Sequence, residues 1–243
     1  MDPGTLLFAA LSTTVVAGTG VVAYLGSELR LRRTLRRTPR WSLAALPEDT
    51  FGRVTGAAHA FEGQQLTGPL TGRPCVYFIA IVEQRGTRDG NRARWTRLAL
   101  ERRSVRFVLE DGGHRAIVDP RRARVTLDFD HVYRTEHLPR ALRSPSDTGH
   151  GAAPTTEDER QGQFLTRHHL ANHPWSRMLE LRYREAVIEV GEKIAVLGSG
   201  IREPDLEARS DGDAYRAAGG TRLRMTGLRR YPLVISDDPS TLA

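Results

Sequence analysis

Between Asp2 and Glu28 the chain carries no charged residue, and Thr5–Leu25 is an apolar run relieved only by small polar residues such as Ser12, Thr14, Gly18 and Gly20. At about 1.5 Å rise per residue, about 20 helical residues cross a hydrocarbon core about 30 Å thick, so a run of this length reads as a membrane-spanning helix. It is apolar on every face, whereas a helix lying on a soluble core is apolar along one stripe. Arg30, Arg32, Arg33, Arg36, Arg37 and Arg40 follow it at once, and no Lys or Arg precedes it. That asymmetry orients the span with its N-terminus outside and the remainder on the cytoplasmic side. A cleaved signal peptide would carry its basic charges at the other end. The sequence therefore predicts a single-pass inner-membrane protein. Its anchor is 1–28, a basic collar and linker cover 29–50, and a cytoplasmic domain covers 51–238.

The collar is expected to touch anionic headgroups through its six arginines, with Trp41 at headgroup level. Its charges abut an apolar span and no aromatic residue interleaves with them, so membrane lipid is the expected partner and nucleic acid is not. Thr14-x-x-x-Gly18 is a small-x-x-x-small pair, which offers the anchor a route to a homo-oligomer.

About 200 residues remain beyond the collar, enough for one good-sized domain. The formal charge is +7, carried by arginine, since Lys193 is the only lysine. One cysteine, Cys75, allows no intrachain disulfide and no thiolate zinc site. Its setting in Cys75-Val76-Tyr77-Phe78-Ile79 marks it as a buried thiol.

From Arg53 onward, short apolar or alternating runs are divided by Gly and Pro. Strands are predicted at Arg53–Phe61, Cys75–Gln84, Trp95–Glu101 and Arg124–Phe129, the second being strongest in β-branched and aromatic residues. Asp111-Gly112-Gly113 between Val105–Glu110 and His114–Val118 reads as a hairpin. Leu66–Pro74 is a turn-rich crossing. Residues 144–158, rich in Ser, Pro, Thr, Gly and Ala, read as a mobile loop. Glu159–Asn172 is the one helix expected in the soluble part, with Phe164, Leu165 and Leu170 on its apolar side. Met178–Val190 alternates, and Ala186–Gly198 reads as strand, turn, strand. Thr221–Thr226 and Pro232–Ser236 close the chain as short strands. The predicted class is mainly β (α+β): a transmembrane helix, then an antiparallel barrel-like or sandwich-like domain with one short helix.

Few residues suggest chemistry. His168, His169 and His173 are the only metal-like cluster, with His169 and His173 as weak candidates that lack a third ligand. Gly198-Ser199-Gly200 lacks the Gly-x-Ser-x-Gly elbow and reads as a glycine turn after a strand. Asp128 with Asp130, and Asp237 with Asp238, are paired carboxylates without a third partner in sequence reach. No cofactor is expected, and no residue is assigned a catalytic role.

The segment Leu66-Thr-Gly-Pro-Leu-Thr-Gly-Arg-Pro-Cys-Val-Tyr-Phe-Ile-Ala-Ile-Val-Glu83 resembles the characteristic strand of the GIDE, or "beside a membrane", domain. Glu189-Val-Gly-Glu-Lys-Ile-Ala-Val-Leu-Gly198 is similar to its late hairpin, and Tyr231–Ser236 to its closing strand. The resemblance covers about Arg53–Ser236 and implies a membrane-anchored β domain. Some members are mitochondrial E3 ubiquitin ligases whose activity lies in a separate RING that binds two zincs. A single cysteine cannot supply a RING, so the resemblance implies a RING-less, bacterial-type member rather than ligase activity. The function expected is a non-enzymatic binding or scaffold module with an unknown protein partner near the bilayer. A ligase-like transferase or a membrane-bound hydrolase is the alternative.

Overall fold

A computed structural model describes residues 29–86, 94–135, 155–171, 180–204, 221–227 and 231–242. The predicted anchor, with Thr14 and Gly18, lies outside the described residues. Among those described, no helix is long and apolar enough to cross a membrane. The elements in chain order begin with α1 (residues 29–37), β1 (Arg40–Trp41), β2 (Phe51–Ala60), β3 (Leu66–Thr67), β4 (Pro74–Gly86) and β5 (Arg94–Ser104). Then come β6 (Phe107–Asp111), β7 (His114–Val118), β8 (Arg124–Thr126) and β9 (His131–Thr135). The chain closes with α2 (Thr156–Arg167), β10 (Leu181–Glu189), β11 (Lys193–Pro204), β12 (Thr221–Thr226) and β13 (Val234–Ser236).

Five of these strands close on themselves. β2 pairs with β6, β6 with β7, β7 with β12, β12 with β11, and β11 returns to β2. The ring is antiparallel except at β7–β12, which runs parallel from Leu223↔Ala116 to Met225↔Val118. A closed five-stranded Greek-key barrel of this kind is the OB-type architecture, and closure removes the exposed edges of an open sheet. The β6–β7 hairpin turns at Gly112 and Gly113, whose φ of 57° and 79° favour glycine. Alternation sends Val54, Ala58, Phe107, Leu109, Ile194, Val196 and Met225 into the barrel, where they form the main apolar core. Gly56 is needed there, because a Cβ on it would stand 2.6 Å from the Glu110 carbonyl oxygen.

The expected antiparallel barrel-like domain is thus present, with parallel pairs also at β1–β2 and β8–β13. Sequence alternation marks a strand but carries no information on its neighbour's direction. Gly198-Ser199-Gly200 is not a turn. It lies inside β11, and a Cβ on Gly200 would stand 2.9 Å from Leu46 Cδ2.

Residues 29–50, expected as a collar and linker, are packed into the domain. On α1, Leu31 and Leu35 stand one turn apart and pack against Ala195, Leu197 and Val234, with Leu35 fully buried. Leu43 and Leu46 enter the barrel core.

A second sheet has the order β3-β4-β10-β9, with β5 beside β4. Its lower end, Tyr77, Ala186 and Ile188, is shared with the barrel core. Further up it is an open half-barrel, and α2 covers one face by packing Phe164 and Leu165 on Phe78, Ala80, Val82, Leu181 and Tyr183. The helix begins earlier than expected. Thr155 caps it by accepting from Asp158 N at 3.1 Å while Asp158 accepts from Thr155 N at 3.2 Å, a reciprocal box that the low-complexity composition around it obscured. It also ends earlier, at Arg167, where His168 caps it and His169 turns to a φ of 59°. Residues 155–158 are therefore helix cap and first turn, while 136–154 lie outside the described residues. β9, at 131–135, was not legible as a strand because four of its five residues are polar or titratable.

Candidate functional site

The turn-rich crossing is fixed from beneath by one side chain. Glu185 on β10 is fully buried, and its carboxyl group accepts from Leu70 N at 2.8 Å, Thr71 N at 3.1 Å and the Thr71 hydroxyl. A Cβ on Gly68 would lie 2.8 Å from Glu185 Oε2, so glycine lets the loop close over the carboxyl. Gly72, at a φ of 77°, makes room for the Arg160 guanidinium, which donates to the Thr71 carbonyl at 3.0 Å. Arg73 donates to Asp130 Oδ1 at 2.9 Å and to Glu189 at 2.8 Å. The hydrogen bonds to Asp130 raise the arginine's pKa further. Burial of Asp130 opposes its ionisation but is outweighed by Arg73, which holds the carboxyl below its usual range.

Two clefts flank Arg160. One, of about 420 Å³, is lined by Leu70, Thr71, Arg73, Asp130, His131, Glu157 and Arg160. His131 Nε2 stands 3.3 Å from Glu157. Gln161 Oε1 and Tyr183 Oη are buried without a hydrogen-bond partner among the described residues. The other cleft, of about 450 Å³, is walled by Arg103, Arg160, Arg167 and Gln163. At its side the buried Glu101 meets Arg103 and Arg167 at 2.9 Å and His168 at 3.2 Å. Both clefts offer guanidinium groups and paired carboxyls, which suits recognition of a polar partner surface. The hydroxyl of Thr71 already donates to Glu185, and no other described hydroxyl in these clefts stands beside a base.

The sequence-predicted residues are distributed differently. His168 stacks on Phe164 at 4.5 Å and pairs with Glu101, while His169 is exposed past the helix end and His173 lies outside the described residues. No group of three or more metal-ligating side chains occurs among the described residues. Cys75 is fully buried, and burial together with nearby Glu185 pushes its thiol up to about 12. One member of each carboxylate pair clamps α1, Arg32 reaching Asp128 at 2.5 Å and Asp238 at 3.0 Å, while Asp130 is held by Arg73. Asp237 accepts from Asp128 N at 3.2 Å; burial, then Glu192 and Asp128, push it up to about 7. Trp41 sits in β1 over Gly52, against the barrel core, rather than standing free for a headgroup. Arg40 donates to the Leu242 carbonyl at 3.4 Å. With Leu31 and Leu35 inward, helical geometry turns Arg30, Arg33, Arg36 and Arg37 outward on α1, and all four are exposed. Sequence reasoning passed over Glu185, Arg73, Arg160 and Glu101. The Gly68 and Gly72 spacing marked their loop, but nothing local marked a carboxyl more than a hundred residues away.

The fold is a closed β-barrel with a helix-covered half-barrel beside it. The GIDE family model, described as E3 Ubiquitin ligase, matches residues 80–212, more than half of the chain. The chain belongs to the GIDE family. No curated protein and no solved structure matches it.

Proposed function

We propose that this chain is a membrane-anchored binding module of the GIDE family, whose β domain holds a protein partner beside an anionic bilayer surface without catalysing a reaction. One observation carries the reading: an uncharged apolar run of spanning length leads directly into a helix that is docked on the barrel with four arginines outward. An anchor joined to a docked helix fixes the domain's height and tilt, which a slack linker would not. The clefts around Arg160 supply the polar recognition groups. The anchor is single-pass, with the domain on the cytoplasmic face of the inner membrane, by the arginine asymmetry. Carbonate extraction combined with protease accessibility tests this. The full chain is expected in the pellet, with the domain cleaved only from the cytoplasmic side; recovery in the supernatant overturns it.

The family description supports a second reading, ubiquitin transfer. Thioester transfer needs a reactive thiolate, and the one cysteine in these 243 residues is buried with its thiol pushed up to about 12. A ubiquitination assay with activating and conjugating enzymes separates the two. Conjugates that vanish with Arg160→Ala, which lines both clefts, but persist in Cys75→Ser would favour a ligase acting through its clefts.

A further inference from the structure

α2 covers one face of the second sheet; on the opposite face Tyr77 and Ile79 join the barrel core, and the part beyond them carries exposed side chains. Register places its side chains in rows. One row crosses the sheet as Leu100, Ile81, Arg184 and Val132, with Leu100 42% and Val132 50% exposed at its ends and Ile81 buried between them at 8%. The next row, toward the free end, is Arg97, Glu83, Arg182 and Arg134. On the other side Arg102 lies beside Ile79. An aliphatic row is therefore bordered by basic residues, and Glu83 is the one acid among these positions. Glu83 is already held by Arg182 at 2.6 Å.

The aromatic groups on this face are covered. The Arg182 and Arg134 guanidiniums lie over the Trp95 ring, at 4.3 and 5.7 Å, and Arg184 lies over Phe129 at 3.9 Å. Stacking spreads the guanidiniums flat against the sheet. It also takes away the bare rings on which bases of a single-stranded nucleic acid would stack. What remains outward is Leu100 and Val132 within a basic frame, the pattern that an anionic bilayer surface complements.

This face borders α1 at one point. Arg32 of α1 grips Asp128, and the next residue, Phe129, lies under Arg184 at the edge of the open face. The clamped arginine of α1, Arg32, and Arg184 of the sheet thus stand beside adjacent residues, Asp128 and Phe129.

We infer that the open face of the second sheet is a lipid-docking surface: Leu100 and Val132 rest at the headgroup boundary, and Arg97, Arg102 and Arg134 contact anionic phospholipid. This rests on the membrane-anchored reading above and adds an orientation to it, with the barrel and the Arg160 clefts turned away from that surface. Each arginine near an anionic surface strengthens docking about fivefold.

The test uses the full chain reconstituted in phosphatidylcholine vesicles with or without phosphatidylglycerol. A polarity-sensitive fluorophore is attached at Leu100→Cys, and in a second sample at His114→Cys on the exposed β6–β7 turn. Cys75 is buried and does not label. The Leu100 probe is expected to blue-shift and to lose most of its acrylamide quenching only when phosphatidylglycerol is present, with salt reversing both. The His114 probe stays quenchable throughout. Arg97→Glu with Arg134→Glu is expected to weaken the effect by more than tenfold, at about fivefold per arginine.

Flotation of the chain with both vesicle types, with the Leu100 probe exposed in both, overturns the docking face and leaves the anchor standing. Flotation with neither overturns both readings. Flotation only with phosphatidylglycerol, with the Leu100 probe protected, overturns the anchor and supports the face. Equal protection of the His114 probe, or protection of the Leu100 probe by a single-stranded oligonucleotide in place of lipid, overturns the face.

Discussion

The barrel and the half-barrel beside it solve the same problem of burying strands in opposite ways. The barrel closes on itself around an apolar cluster, and Arg53 is the one charged side chain buried on its strands among the described residues. The half-barrel stays open. It is covered on one face by α2 through a seam that buries Glu185, Gln161 and Glu101 along with its apolar side chains. Closure leaves a barrel no spare edge, whereas an open sheet keeps a face, two clefts and buried polar groups that demand exact partners. In this molecule the sealed region closes over apolar side chains, and the unsealed region carries the clefts and the buried carboxyls.

The comparison can be broken first at its polar seam. Glu185→Ala leaves the Leu70 and Thr71 N–H groups facing a void, and at about 1–3 kcal/mol for each stranded group the loss is on the order of 4 kcal/mol. Urea unfolding measures it; a loss smaller than that of a barrel-core truncation would mean that apolar packing alone holds the half-barrel. That reference is Leu109→Ala, fully buried in the barrel, for which about 3 kcal/mol is expected from lost transfer and a cavity.

Next is the acid clamp under α1. The folded Asp237 carboxyl, at about 7, lies above its unfolded value near 3.8. The folded state therefore binds the proton more tightly. The stability this contributes is complete below about pH 4 and is lost as the pH rises through 7. Asp237→Asn is expected to flatten that decline and to stabilise the protein at pH 8 by on the order of 2 kcal/mol, after allowance for partial solvent screening. Denaturation midpoints at pH 5 and pH 8 check it, and an unchanged slope between them would place the titration elsewhere.

The smallest effect belongs to the open face. Leu100→Ala should change stability by less than about 0.5 kcal/mol, because the side chain is 42% exposed. A loss near that of Leu109→Ala would show that the face is covered after all, and would join the two regions into one sealed body.

Much of the strand pattern was legible in order. β4 carries β-branched and aromatic residues throughout, Asp111-Gly112-Gly113 announces its hairpin, and the 181–184 alternation puts Leu181 and Tyr183 on the face opposite Arg182 and Arg184. The candidate site was far less legible. Glu185 reads as one polar residue in an alternating strand, and its partners lie more than a hundred positions earlier. His168 and His169 drew attention by proximity, yet the helix ends between them and sends one toward Glu101 and the other to solvent.

By itself, the sequence determined which segments must leave water and in what periodicity, because transfer of apolar groups and alternation along a strand are local properties. It also determined the GIDE kinship, through short motifs whose glycines relieve local clashes. Only the tertiary structure decided that β11 returns to β2, that residues 29–50 belong to the domain, and which arginines stay outward. Those outcomes depend on which distant strand supplies a hydrogen-bonding edge, a carboxyl or an apolar groove, and no stretch of chain carries that information alone.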